Sequence, residues 1–191
     1  MADFPTEIFD PRERENKSGI VYDADKKTLL FNEDITIIED EVIAIETDII
    51  EASRVCITIG TENQVIATST ETKVKFDNEC FDENSEFDPV TLYRFTAKRE
   101  GYYYVRCEVH WVNTVNSKTY ELRFKKNGTV IDHSPVVARG TGELTNSLGK
   151  LIPLDVNDYV EAFVYHDVGV DASLLYGDTH SHFDIFKLPG A

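Results

Sequence analysis

YYYVRCEVHWV, residues 102–112, is the stretch on which the fold turns. Side chains of an extended chain point alternately to its two faces. Tyr103, Val105, Cys107, Val109 and Trp111 therefore share one face, and Tyr102, Tyr104, Arg106, Glu108 and His110 share the other. The first row is wholly apolar or weakly polar. The second mixes aromatic rings with charge. A period of two with this contrast predicts a strand that buries one face in a core and leaves the other for a different purpose.

The same pattern spreads outward in both directions. TYELRFK (119–125) runs into Asn127-Gly128. That dipeptide suits a two-residue hairpin turn, because both central residues of such a turn need positive φ. TVIDHSPVVA continues beyond it, and SLGKLIPLDV, DYVEAFVYHD and HSHFDIFKL supply the last strands. Upstream, RVCITIG alternates Val55, Ile57 and Ile59 with Arg54, Cys56 and Thr58; QVIATS and TKVKF follow after short polar breaks. Many short strands, frequent turns and no helical period predict an all-β sandwich or jelly roll over residues 54–191.

Residues 32–53 change period. Asn32 can cap a helix, with Glu33 and Asp34 in the first turn, where the helix dipole favours acids. Ile35, Val42 and Ile49 then fall at heptad position a, and Ile38, Ile45 and Ala52 at d. Isoleucine at both positions favours three or four strands over two, so the segment is expected to be a short trimeric coiled-coil stalk. Glu39, Glu46, Glu41 and Asp48 flank the seam, so neighbouring helices oppose acid with acid, and the stalk alone is expected to be marginal at neutral pH. The alternative is a helix folded back on its own domain. Residues 1–31 are expected to form an extended attachment segment punctuated by Pro5, Pro11 and Gly19, with GIVYDADKKTLLF able to form a hairpin about Asp23–Lys27.

The chain of 191 residues suits one domain plus an appendage. Its net charge of −16 would repel a phosphate backbone, which argues against a nucleic-acid partner. No stretch approaches the roughly 20 apolar residues of a membrane span, so no membrane insertion is expected. The start has no apolar h-region, and the expectation is no signal peptide, with assembly in a host cytoplasm. Cys56, Cys80 and Cys107 form a sparse, odd set with no zinc or redox spacing; Cys107, inside the apolar row, is expected to be a buried free thiol.

The order of several pieces resembles the globular heads of the complement C1q and tumour necrosis factor superfamily, over about residues 54–191. They are Phe76-Asp77, Phe87-Asp88-Pro89, Arg94-Phe95-Thr96 and Gly101-Tyr102-Tyr103, then KKNGTVI, SLGKLIPLDVNDYVEAFVY and the closing FDIFKL. The resemblance implies a ten-stranded jelly roll that packs as a compact homotrimer. A trimer-biased heptad just upstream agrees with it. Unlike those of animal members, these 191 residues hold no collagen-like Gly-X-Y repeat, and no secretion signal is expected. Residues 9–50 are instead similar to N-terminal parts of phage tail and capsid-associated structural proteins. That likeness implies a virion component whose N-terminus docks on the particle and whose head faces outward.

No nucleophile–base pair, phosphate loop or HExxH motif is present, so no enzyme is expected. GTGEL (140–144) lacks the Lys-Ser/Thr of a P-loop and reads as a flexible surface loop. His180, His182 and Asp184 alternate and share a strand face; three copies near a threefold axis can form a transition-metal site. The resemblance also implies calcium at a trimer apex, for which Asp82-Glu83 and Asp155–Asp158 are the candidate loops. Tyr102, Tyr104 and His110 are the candidate head-interface or ligand contacts, with Tyr159, Tyr165 and Tyr176 as further exposed rings. The expected function is a virion-associated trimeric fibre or adhesin, extracellular once released, that contacts a host-surface glycan or protein. A decoration protein that stabilises a capsid or tail is the alternative, and a glycan hydrolase, whose acids only a fold can place, is the third reading.

Overall fold

The computed structural model describes residues 20–23, 28–31, 40–43, 53–177 and 179–189. The chain divides into two compact units, Met1–Glu51 and Ala52–Ala191. In the first, β1 (Ile20–Asp23) and β2 (Thr28–Phe31) pair antiparallel from Ile20↔Phe31 to Asp23↔Thr28, so the expected hairpin is present. Residues 40–43 are helical, and Val42 and Ile43 are exposed. The other seam positions of the expected stalk, Ile35, Ile38, Ile45 and Ile49, lie outside the described residues.

The second unit is all β. In chain order its strands are β3 (Arg54–Thr58), β4 (Gln64–Ile66), β5 (Thr72–Lys73), β6 (Asn78–Asp82), β7 (Phe87–Asp88), β8 (Arg94–Thr96) and β9 (Gly101–Thr114). There follow β10 (Thr119–Lys126), β11 (Thr129–Val137), β12 (Gly142–Leu154), β13 (Tyr159–His166), β14 (Ala172–Leu174) and β15 (His182–Lys187). A six-stranded sheet runs β11-β10-β13-β8-β7, with β5 also on β13. A seven-stranded sheet runs β4-β14-β9-β15-β3-β6, with β12 also on β9. Every pairing is antiparallel. The two antiparallel sheets form a jelly roll. Its described segments outnumber the ten strands implied by the resemblance because five of them are only two or three residues long.

β9 is the spindle. β12 follows one side of it from Thr114 to Gly101, while β14 and β15 share the other side. Tyr103, Val105, Cys107, Val109 and Trp111 are all fully buried, so the alternation read in 102–112 has the expected phase. They face Tyr120, Leu122 and Phe124 of β10 and Val160, Ala162 and Val164 of β13 across the sandwich, where each full burial contributes about 1.5–3 kcal/mol. Trp111 stacks edge-on against Tyr120 (5.0 Å) and His166 (5.5 Å). His166 is buried without an unmet ring nitrogen: Nε2–H donates to the Ile66 carbonyl at 2.9 Å, and Nδ1 accepts from the Val168 N–H. Cys107 is a buried free thiol, as expected, and burial raises its pKa.

GTGEL differs from expectation. Gly142 opens β12, and a bulge between Gly142 and Leu144 lets this end of the strand reach Thr114, so residues 142–144 belong to the sheet. The Asn127-Gly128 hairpin is present, joining β10 to β11 with Lys126 opposite Thr129. Both turn residues have positive φ, 51° at Asn127 and 80° at Gly128. A Cβ at Gly128 would find only Tyr159 Oη, at 3.7 Å, so there is space for it and the cost of a side chain is backbone strain. Gly128→Ala is expected to lower stability by about 1 kcal/mol in chemical denaturation with no change in m-value.

Candidate binding face of the seven-stranded sheet

The two sheets treat their outward faces differently. On the six-stranded sheet the outward charges are taken up among themselves. Glu71 binds both Arg123 (2.9 Å) and Lys125; Arg123 also binds Glu121 (2.6 Å), which binds His133 (2.6 Å); Lys73 binds Glu161. Aromatic rings cover these cations: Lys125 over Phe163 and Arg94 over Tyr159, each at 4.0 Å, and Arg123 over Tyr165 at 5.4 Å. The Arg123 hydrogen bond holds Glu121 below the ordinary carboxylate range against its burial. Burial raises Glu71, and its two cations outweigh that and hold it low. Tyr159 and Tyr165, expected as free contact rings, are platforms for arginine here.

On the seven-stranded sheet the outward rings are exposed among the described residues. The register across β12, β9, β15, β3 and β6 places Gly149, Arg106, Asp184, Cys56 and Phe81 in one outward row. The next row is Leu151, Tyr104, Phe186 and Arg54. Tyr104 and Phe186 lie 5.3 Å apart in a tilted pair. Gly149 makes this possible, since a Cβ there would stand 2.6 Å from Tyr104 Oη. Tyr102, Leu151, Phe186 and Phe81 are 43–50% exposed in the single chain. A cavity of about 440 Å³ lined by Arg54, Phe81, Phe186, Lys187 and Pro189 continues this surface at one edge.

A polar band adjoins the rings. Arg106 binds Glu108 at 3.0 Å and approaches Asp184 at 3.8 Å. His182 Nε2 lies 3.3 Å from Asp184, and His110 Nε2 lies 2.7 Å from Thr145 Oγ1. His110 Nδ1 is buried without a hydrogen-bond partner. Tyr102, Tyr104 and His110 thus share one continuous face, the one opposite the core row. The proposed metal ligands do not converge within a chain: His182 and Asp184 are neighbours on β15, but His180 sits in the preceding turn with its ring 5.4 Å from that of His110. Among the described residues no three His, Cys, Asp or Glu side chains are grouped to hold a metal ion.

The acidic loops are built around their own donors. Asp82 accepts from the backbone N–H groups of Asn84 (3.3 Å) and Phe87 (2.7 Å). Asp158 accepts from the Asp155 N–H at 2.9 Å and from Asn127 Nδ2 at 2.6 Å, and it pairs with Lys126 at 2.7 Å. Asp88, in the Asp-Pro turn, accepts from the Val90 and Thr91 N–H groups and from the Thr91 hydroxyl. The Thr91 bonds lead in holding its pKa down to about 2. A carboxylate lowered in the fold contributes stability above its ordinary pKa near 4 and loses it as pH falls towards the folded value. Asp88→Asn is therefore expected to be less stable than the parent at pH 6, with the gap closing between about pH 4 and pH 2, read by thermal melts across that range.

Phe186, Leu151, Gly149 and Phe81 belong to this face and were not singled out from sequence. The phase of FDIFKL carried the signal for Phe186, since it follows His182 and Asp184 at the same period. The pairing of β12 with β9, which brings Leu151 beside Tyr104, has no local mark.

The fold is a jelly roll similar to that of solved tumour necrosis factor-like proteins. Eiger TNF from S. frugiperda aligns with TM-score 0.55 and 10% identity over 73% of this chain and 93% of that one. Murine APRIL aligns with TM-score 0.54 and 11% identity over 72% and 100%. The globular domain of zebrafish complement 1qA gives TM-score 0.49 at 19% identity over 72% and 96%. In sequence, the chain is 26% identical over 144 residues to the phage-like element PBSX protein XkdV of Bacillus subtilis (strain 168). That match covers 69% of this chain and 21% of the relative, so the chain spans about a fifth of the length of that protein. No family model matches the chain.

Proposed function

We propose that the chain is a non-catalytic binding head of a phage-type particle, assembled from three copies through the aromatic face of the seven-stranded sheet. The carrying observation is that face: Tyr102, Tyr104, Leu151 and Phe186 form one outward aromatic and apolar surface, with Tyr102, Leu151 and Phe186 exposed among the described residues. Aromatic anchors beside a charged rim are what a protein interface uses. The jelly-roll fold and the likeness to a protein of a phage-like element support the particle context. Three heads on one stalk would raise the avidity for a repeated host-surface glycan or protein above the affinity of one site. The stalk seam Ile35, Ile38, Val42, Ile45 and Ile49 and the segment 1–31 are assigned to trimerisation and to docking on the virion or tail. The axial role of His180, His182 and Asp184 requires two further copies of the chain.

Light scattering on the purified full chain is expected to give three times the chain mass at micromolar concentration. The labelled protein is expected to bind host cells saturably. A monomer that ignores host cells overturns the proposal. Particles that fall apart without the protein, together with purified protein that does not bind cells, would select the decoration role instead.

A further inference from the structure

The exposed edge of the seven-stranded sheet carries a pair of thiols that sequence spacing conceals. We propose that Cys56 and Cys80 form a reversible disulfide that staples edge strand β6 to β3 when the protein passes from a reducing to an oxidising environment. The register places them together. Cys56 pairs with Phe81 and Ile57 with Glu79, so a bulge leaves Cys80 as the extra residue at that point. Cys56 sits in the outward row beside Asp184 of β15, and Cys80 is exposed, so both thiols reach solvent at this edge; burial, with Cys80 and Asp184 close by, raises the Cys56 pKa. A bulge sets two residues of one strand, here Cys80 and Phe81, opposite one residue of the other, Cys56, and a disulfide accepts Cα atoms roughly 4.4–6.8 Å apart. Cys80 is exposed, Cys56 is half-buried and Cys107 is fully buried, so the exterior chemistry belongs to the first two.

The chemistry balances with a low-molecular-weight disulfide as oxidant. The exposed Cys80, as thiolate, attacks one sulfur of the small disulfide, forming a mixed disulfide and expelling one small thiolate. Cys56 gives up its proton to solvent and attacks the Cys80 sulfur, and the second small thiolate leaves. Two protein thiols are oxidised to one disulfide; one small disulfide is reduced to two thiols, which recover the two protons.

The staple would act where the sheet is weakest. Among the described strands β6 has a neighbour on one side only, and edge segments open at lower cost than central ones. β3 is the first strand after residue 53, so tension along the backbone from the N-terminal side reaches it before any other strand of the unit. Cross-linking it to β6 also closes the loop from Cys56 to Cys80, which restricts the unfolded chain.

The test uses the full chain in glutathione disulfide, followed by acid quenching, alkylation and intact mass. The expected product is lighter by about 2 Da, loses two alkylation sites and yields a peptide cross-link between 56 and 80, reversed by dithiothreitol. Cys56→Ser and Cys80→Ser abolish it, and Cys107→Ser keeps it. The oxidised form is expected to melt about 5 °C or more higher. A glutathione adduct that persists on Cys80, cross-links between chains, or no reaction overturns the proposal. A disulfide that forms without raising the melting temperature overturns the stapling role.

Discussion

Val109→Asp is expected to leave the jelly roll unfolded. Val109 has no exposed surface, lies midway along β9 and pairs with Asn146 of β12. Its neighbours on the inward face, Cys107 and Trp111, are equally buried. A carboxylate there would be stripped of water with no cation to meet it, at a cost of several kcal/mol. That is comparable with the roughly 5–15 kcal/mol that holds a typical domain together. Far-UV circular dichroism and size-exclusion behaviour report the outcome. Tyr102→Asp, on the opposite face of the same strand and half exposed, is the control and is expected to stay folded. A Val109→Asp protein that is soluble and melts like the parent would mean that the inward phase of β9 has been misassigned.

The second large effect is on assembly. Tyr104→Asp is expected to give a folded protein of one chain's mass where the parent is expected to show three. The Tyr104 ring lies beside Phe186, and its hydroxyl lies over Gly149, at the centre of the outward aromatic surface. Losing such a central anchor typically costs about 2 kcal/mol or more at an interface, and a trimer repeats the loss at each contact. Because the ring faces outward, the fold should survive. Sedimentation and a thermal melt together separate the two effects. An unchanged mass would remove this face from the assembly, and a collapsed melt would make Tyr104 a folding residue. Leu151→Asp, next to it on β12 and 48% exposed, should reproduce the first result.

What could be read from the chain beforehand follows the range of the forces involved. Tyr103 to Trp111 announce their burial because a strand's faces alternate whatever surrounds it. Asn127-Gly128 announces its turn because only a few residues tolerate positive φ. Cys107 was legible for the same reason as its row. Contacts between distant segments were not. Glu71 reaches Arg123 and Lys125, and the bulge brings Cys80 opposite Cys56, only after the sheets have taken their register. His180 shares the sequence period of His182 and Asp184, but the chain turns before β15 begins, so period alone misplaced it. GTGEL looked like a loop by composition, and its glycines instead admit the bulge that starts β12. Half of the binding face was visible as the second row of 102–112. The other half, Phe186 and Leu151, came from strands whose neighbours no local rule names.

The corner at Asp158 carries its own cation. Lys126 brings an ammonium to Asp158 on a covalent tether, and Asn127 and the Asp155 amide fill the remaining lone pairs. A counter-ion that is part of the chain cannot be diluted away or drawn off by EDTA. This corner should therefore keep its shape in a chelating medium, since the cation that meets Asp158 belongs to the chain itself.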